Sequence, residues 1–208
     1  MDSISNTLCE KVNLLQIMGD RLQYLHSHDT ILLLRHSFAL PKLFYVLHTS
    51  PYFLSPQLEA YDDLLRNTLS GITNVHFQGN DPAWTQASLP VRYGGLGIQS
   101  AVQLAPSAFL ASAAGFSDLG DQILPPHLQD PPYPLRDAAL ASLTQGHDQP
   151  PPPIPAAHCQ KEWDTPKVCA TADLLLNGAS DAVSRARLLA TATKECQVEC
   201  PPSIITWP

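Results

Sequence analysis

Apolar residues recur at three- and four-residue steps through the N-terminal half of the chain, the spacing of one face of an α-helix. The first helix is predicted near the N-terminus, with Ser3 or Ser5 as its N-cap, and it ends at "HSHDT". Its apolar stripe consists of Leu8, Val12, Leu15, Met18, Leu22 and Leu25. The second predicted helix, "ILLLRHSFAL", follows Asp29 or Thr30 as its N-cap and is apolar on most sides. We therefore expect the second helix to lie at the centre of the core.

Two further helices are predicted in the same half. The segment "SPQLEAYDDLLRNTL" begins with Ser55 at the N-cap and Pro56 at the first helical position, and Gly71 marks its predicted end. Its apolar stripe consists of Leu58, Tyr61, Leu65 and Leu69. The segment "SAVQLAPSAFLASAAGF" predicts a helix that is capped by Ser100 and interrupted at Pro106.

A glycine cluster lies between these two helices, in "SLPVRYGGLGI", and predicts a turn or a short extended segment. Gly94, Gly95 and Gly97 match neither the dinucleotide-binding fingerprint nor the phosphate-binding loop of nucleotide hydrolases. The interpretation favoured is a structural turn, whose glycines accept positive φ and let the backbone pass close to a neighbour. An anion bound at the N-terminus of the following helix is the alternative.

The composition changes after residue 124. Ten of the 20 prolines fall between Pro125 and Pro155, and "DQPPPPIP" favours an extended polyproline linker. A helix within this stretch is predicted from "LRDAALASLTQ", and two short helices beyond it break at Asn177–Gly178. We expect a mainly α fold: a helical domain over 1–124, a proline-rich linker over 125–157, and a small, loosely packed helical tail over 158–208.

The charge of the chain limits its partners. The net charge is −7, which makes the protein a poor free-standing binder of nucleic acid, because phosphate contacts need lysine and arginine. Residues 1–100 are the less acidic half, with six basic and eight acidic side chains. Within them, Arg35, His36 and Lys42 cluster around Pro41 and could meet a phosphate backbone. The alternative is that these are exposed charges on an apolar helix pair.

No catalytic, metal or cofactor site is predicted. Asp62 and Asp63 of "EAYDDLL" could suggest two-metal chemistry, but the segment has a helical period, so we expect both on the solvated side of the helix. The five cysteines and the histidines match no zinc-ligand spacing, and no nucleophile elbow is present. No signal peptide is recognisable, and no apolar run approaches the ~18 residues of a membrane span. We expect a soluble intracellular protein with free thiols and no small-molecule substrate; nucleus and cytoplasm both remain open.

Three strings carry a resemblance to a known family. "LLLRHSFALPKLFYVLHTSP", "LEAYDDLLRNTLSGI" and "DPAWTQASLPVRYGGLGIQSAVQLAPSAFLASAA" resemble the region just after the catalytic palm in reverse transcriptases of non-LTR retrotransposons. The patterns R-H-S-x-x-x-P-K and L-P-x-R-x-G-G-L-G-I, in this order, are its most specific parts. The resemblance covers about residues 8–125, and "AVSRARLLATATKE" is similar to the portion that follows.

The resemblance implies a thumb and connection, a helical bundle that in the family packs on the palm and guides the template–primer duplex. The polymerase aspartates of the family belong to the palm and are not found here. The expectation is thus a non-catalytic fragment of an RNA-directed DNA polymerase of a transposable element, with an apolar face left uncovered. Its expected partners are the missing palm domain or, weakly, a nucleic-acid duplex. The alternative is a helical module that binds nucleic acid or protein in its own right.

Overall fold

The computed structural model describes residues 2–79, 81–125, 134–144 and 160–192, and in them the predicted mainly α fold is confirmed. The N-terminal helices are α1 (Asp2–Leu22), α2 (Ser27–Leu33), α3 (Phe44–Thr49), α4 (Gln57–Thr73), α5 (Pro82–Ser88) and α6 (Ala101–Ile123). The later helices are α7 (Pro134–Thr144), α8 (Gln160–Gly178) and α9 (Ala182–Thr191). The described residues contain no strand, so "SLPVRYGGLGI" is a turn with a short 3₁₀ helix at Val91–Tyr93.

Helices α1 and α4 form the first layer of the core. On α1, Leu8, Leu15 and Leu22 are buried, and the stripe predicted on α4 is buried throughout. Gly19 allows the two helices to approach, because a Cβ there would lie 2.8 Å from Thr68 Oγ1. The predicted stripe on α1 is one residue too long, since the helix ends at Leu22 and leaves Leu25 half exposed.

The second predicted helix is broken into shorter pieces. Helix α2 begins at Ser27, so the predicted caps Asp29 and Thr30 are wrong. The Thr30 hydroxyl is buried and instead donates to the carbonyl oxygens of Leu22 and His26, joining α2 to the end of α1. Helix α2 continues as a π-helical turn, Leu34–Phe38, and then as a 3₁₀ helix, Leu40–Lys42.

This broken segment is nevertheless central, as predicted. Its large buried aliphatic side chains are Leu34, Leu40, Leu43, Val46 and Leu47. Among the described residues, Ser27–Thr49 is the one stretch long and apolar enough, by length and composition, to cross a membrane, with a mean hydropathy of 1.3. No uninterrupted apolar run marked it in the sequence. Its buried leucines belong to the same core cluster as side chains of α1, α4 and α6, and helices of this kind also occur in the cores of soluble proteins.

Both predicted ends of α4 are wrong, whereas the predicted cap of α6 is confirmed. Helix α4 begins at Gln57, so Pro56 and not Ser55 is at its N-cap. Helix α4 continues through Gly71 to Thr73 and ends where Asn74 adopts a left-handed φ of 54°. The reason is the burial of Ile72, which stabilises the helix beyond Gly71. Helix α6 begins after Ser100, whose hydroxyl accepts from Gln103 N at 3.2 Å as predicted for an N-cap.

Helix α6 is not interrupted at Pro106. A proline inside a helix costs about 3 kcal/mol. However, α6 buries side chains both before and after Pro106 along the helix. Each buried leucine stabilises the folded state by about 1.5–3 kcal/mol. Helices α3, α4, α7 and α8 all pack against α6, which makes it the central helix of the described structure. The buried residues near Pro106 are Leu104, Ala105, Ser107, Ala108, Leu110 and Ala111.

The tail is partly joined to this core. Trp163 of α8 is buried together with Leu110 of α6 and Leu143 of α7. The predicted break at Asn177–Gly178 is confirmed, because α8 ends at Gly178 and α9 begins at Ala182. Helix α9 has no buried residue. The proline run "DQPPPPIP" and residues 193–208 lie outside the described residues, so the predicted domain boundaries stay predictions.

Candidate nucleic-acid interface

Arg35 and His36 lie side by side on the π-helical turn. Nε and Nη2 of Arg35 both donate to His36 Nε2, at 3.0 and 2.7 Å. Partial burial, and then the charge of Arg35, lower the pKa of His36. The imidazole is therefore a neutral acceptor at pH 7, which holds the guanidinium in place. Of these two predicted contact residues, only Arg35 supplies positive charge.

Lys42, the third predicted contact residue, ends the 3₁₀ helix that follows the π-helical turn. Its side chain is exposed, whereas Arg35 is half-buried. The structure thus places two of the predicted residues in direct contact and the third on the next short helix of the same segment. A half-buried and an exposed cation on one segment are a minimal site for phosphate contacts, because phosphates are contacted mainly by arginine and lysine.

The glycine turn lies against Arg35. Gly97 has a φ of +73°, a left-handed conformation that favours glycine. A Cβ at Gly97 would lie 2.7 Å from Arg35 Cδ and 3.6 Å from Val91 Cγ2. The aliphatic stem of Arg35 therefore runs along bare backbone. The two most specific sequence patterns, R-H-S-x-x-x-P-K and L-P-x-R-x-G-G-L-G-I, meet at this contact.

The other two glycines have different neighbours. Gly94, with a φ of +79°, faces Thr191 at the end of α9, whose Cβ would lie 3.1 Å from a Cβ at Gly94. Gly95 lies against its own turn, where an added Cβ would collide with Leu89 O and lie 2.6 Å from Gln86 O. The glycine turn therefore lets three other segments approach its backbone: α5, α9 and the π-helical turn.

Asp62 occupies the place where an anion would bind. Its carboxylate accepts from Ala101 N at 2.7 Å, from Val102 N at 3.2 Å and from the Ser100 hydroxyl. The N-terminus of α6 is thus capped by a side chain of α4, and its first amide groups are already bonded. The anion site that the glycine cluster left open as an alternative is therefore taken by the protein itself.

The prediction that both aspartates lie on the solvated side of α4 is wrong for Asp62, which is buried. Burial raises the pKa of Asp62, while the hydrogen bonds from α6 and the charge of Arg66 oppose that shift. Asp63 is exposed and forms an ion pair with Arg66. In the part of the chain that the structure describes, no group of three or more histidine, cysteine or acidic residues could hold a metal ion.

The burial of Asp62 could have been predicted from the sequence. Asp62 lies four residues after Leu58 and seven before Leu69, and both leucines belong to the buried stripe. Positions with those separations share one helix face. A carboxylate on an apolar face needs a hydrogen-bonding partner. Which partner it finds could not be derived from the sequence, because Ser100 is far along the chain.

A polar network beneath α8 was not predicted. Ser107 of α6 donates to the Asp164 carboxylate, and Gln160 Nε2 lies 3.4 Å from Asp164 Oδ2. The Gln160 side chain also hydrogen-bonds His48 of α3. Burial raises the pKa of Asp164 to about 6 and lowers the pKa of Lys167. No local motif marks these residues, which come from three helices.

The space beside this network is small. A cavity of about 30 Å³ is lined by Asp164 and Lys167 together with residues that precede and begin α6. The Ser107–Asp164 hydrogen bond beside this small cavity joins α8 to α6.

Tyr93 attaches the glycine turn to α8. Its hydroxyl lies 3.2 Å from the Sγ of Cys169, and the guanidinium of Arg92 lies 5.0 Å from the centre of its ring. Cys9 and Cys169, the cysteines within the described residues, are free thiols. The Tyr93 contact therefore gives the segment after α5 a second anchor, opposite its contact with Arg35.

Comparison with known proteins gives no relative. No family model, no curated protein and no solved structure matches this chain. The resemblance to reverse transcriptases therefore rests on the quoted strings alone and remains a hypothesis. The charges and contacts described above are what any functional proposal has to use.

Proposed function

We propose that this chain is a non-catalytic helical module similar to the thumb and connection of non-LTR retrotransposon reverse transcriptases, which polymerises nothing alone. The observation that carries the proposal is the contact between Arg35 and Gly97. It joins the two strings that carry the resemblance into one structural unit. Two motifs of one family that lie apart in sequence are expected to meet in the fold if they serve one site.

The surroundings of the aspartates support the non-catalytic part of this proposal. Two-metal phosphoryl transfer needs carboxylates that face a shared site with the ions about 3.5–4 Å apart. Asp62 instead accepts three hydrogen bonds from the start of α6, and Asp63 is exposed beside Arg66.

A primer-extension assay tests this part. The purified chain is incubated with a primer–template duplex, Mg²⁺ and deoxynucleotides, and no extension is expected. Extension that disappears in a folded Asp63→Asn variant, with circular dichroism unchanged, would overturn the proposal. The matched control is Asp137→Asn, which removes an exposed carboxylate of α7 instead.

The alternative function is weak binding of a nucleic-acid duplex. The observation that favours it is the segment that carries Arg35 and Lys42, where the neutral His36 holds the guanidinium. The net charge of −7 makes any such binding weak and strongly salt-dependent. The contacts are with phosphates, so they would not distinguish one base sequence from another.

Fluorescence anisotropy of a labelled duplex over a range of salt concentrations tests this alternative. Arg35→Gln and Lys42→Gln should each reduce the slope of log K against log salt by about one. His36→Gln should leave the slope unchanged, because the imidazole carries no charge. Arg21→Gln and Lys161→Gln remove the same charges from exposed positions elsewhere. If these controls weaken binding as much as the test variants, the predicted interface is wrong.

A protein partner is the other alternative, and exposed aromatic side chains favour it. Tyr24, in the turn after α1, is 90% exposed and Tyr45 of α3 is 80% exposed. The partner that the resemblance implies is a polymerase palm. Co-expression with a palm domain of this family, followed by pull-down of the native chain and of a Tyr24→Ser, Tyr45→Ser variant, tests the idea. Equal recovery of both forms would remove these two tyrosines from the interface.

A further inference from the structure

Helix α9 leaves an open groove between itself, α5 and α8. The groove has a volume of about 610 Å³, within the range of about 300–1,000 Å³ that small-molecule sites occupy. Its apolar lining includes Ala83 of α5, Leu174 and Leu175 of α8, and Leu188 of α9. A groove of this size, lined by aliphatic side chains, can cover an alkyl chain.

Helix α9 follows directly after α8 and is attached at its far end. It begins at Ala182, four residues after the end of α8, and Asp181 caps it by accepting from the amide and the hydroxyl of Ser184. At its end, Thr191 rests on Gly94 of the glycine turn. None of the residues of α9 is buried, and Leu174 of α8 is 68% exposed. Filling the groove would bury apolar surface that the fold leaves in contact with water, which is favourable at about 25 cal/mol per Å².

The described polar lining of the groove consists of neutral side chains and one positive charge. Arg187 of α9 lines it, and none of the described residues that line it is acidic. Within the described residues, Arg187 has no ion pair. The nearby carboxylate of Asp181 is already bonded to Ser184. A groove whose described lining holds a cation and no acid favours a ligand with an anionic head, against the net charge of −7 of the whole chain.

We propose that this groove binds a single-chain amphiphilic carboxylate, of the fatty-acid class. The alkyl chain lies along Leu174, Leu175 and Leu188, and the carboxylate pairs with the Arg187 guanidinium, which can bind it with two parallel hydrogen bonds. This ligand lies outside the proposed thumb-like function, for which no small molecule is expected. Residues 193–208 and a second copy of the chain are the competing occupants, and the experiment distinguishes them.

The test is calorimetric titration of the full chain with dodecanoate below its micelle concentration. Arg187→Gln should weaken binding about two- to five-fold, since an ion pair at an exposed position contributes up to about 1 kcal/mol. Arg185→Gln is the matched control, because Arg185 is exposed on the same helix and does not line the groove. Leu174→Gln should also weaken binding, whereas Leu189→Gln, at an exposed position outside the lining, should not.

Two further measurements make the outcome decisive. Dodecyltrimethylammonium should bind more weakly than dodecanoate, and dodecanoate should slow amide exchange in α9. The proposal is overturned by equal losses in the Arg187 and Arg185 variants, or by equal affinity for the cationic amphiphile. Absence of dodecanoate binding also overturns it, and it points to the chain's own C-terminal residues or, with a concentration-dependent size in gel filtration, to a second copy.

Discussion

Two adjacent carboxylates show how burial decides what one residue does. Asp62 and Asp63 are chemically identical, yet one caps α6 from inside the core and the other lies in solvent beside Arg66. A buried acceptor that is removed leaves its donors without partners, whereas an exposed one is replaced by water. The same substitution at these two positions should therefore have very different effects on stability.

We predict that Asp62→Ala lowers the free energy of unfolding by about 2–4 kcal/mol, because the Ser100 hydroxyl and two amides of α6 lose their acceptor. Asp63→Ala is the neighbouring control and should change it by less than about 0.5 kcal/mol, since exposed ion pairs contribute little. Urea denaturation followed by circular dichroism measures both. Similar losses in the two variants would show that the cap does not stabilise α6.

Asp164 gives the fold a dependence on pH. Its pKa in the folded state is raised from 3.8 to about 6, chiefly by burial. The folded state therefore holds the proton more tightly than the unfolded chain. Protonated Asp164 therefore adds to the stability of the folded state. This contribution is fully present below pH 3.8, is lost as the pH rises through about 6, and is absent at higher pH.

We predict that Asp164→Asn removes this dependence, because the amide oxygen still accepts from Ser107 but binds no proton. Unfolding free energies of the native chain and the variant are compared from pH 4 to pH 8. The free energy of unfolding of the native chain minus that of the variant should fall by about 2–3 kcal/mol over that range. Most of this fall should occur below pH 6. The difference removes the contribution of His48, whose pKa is lowered by burial in both proteins. A difference that stays flat would sink the prediction.

At the scale of elements, the sequence predicted where helices exist better than where they end. The stripe on α4 was found because its leucines repeat at helical spacing and are all buried. The π-helical turn at Leu34–Phe38 was missed, since no local pattern distinguishes it from α-helix. Pro106 led to the prediction of a break that the structure does not contain. Proline disfavours helix locally, but the burial of α6 against its neighbours keeps the helix continuous.

The glycine turn was predicted from composition, but its neighbours were not. Gly95→Ala should destabilise the protein by several kcal/mol, since the added Cβ would overlap the Leu89 carbonyl oxygen, which is backbone and cannot rotate away. Gly178→Ala is the matched control, because nothing lies within 4 Å of an added Cβ there. Thermal melting should show a large drop for the first variant and little change for the second. Equal melting temperatures would mean that α5 and the turn separate easily.

At the scale of the whole molecule, the C-terminal helices separate into a docked and a less buried part. The sequence predicted a loosely packed tail, because proline-rich composition precedes it and its periodicity is weak. No apolar residues at helical spacing from Trp163 predict its burial, yet it packs in a small buried cluster with Leu110 and Leu143. A contact between helices so far apart along the chain cannot be derived from local spacing.

We predict that Trp163 controls whether α8 stays docked. Trp163→Ala should cost about 3–5 kcal/mol, and it should speed amide exchange in α7 and α8 more than in α1 and α4, whose core does not include Trp163. Trp163→Phe is the control: it keeps most of the buried volume and removes an indole N–H that has no partner among the described residues. Its cost should be small, because it removes a donor that is already unsatisfied. If exchange instead rises equally in all helices of the Ala variant, α8 and the N-terminal helices unfold as one cooperative unit.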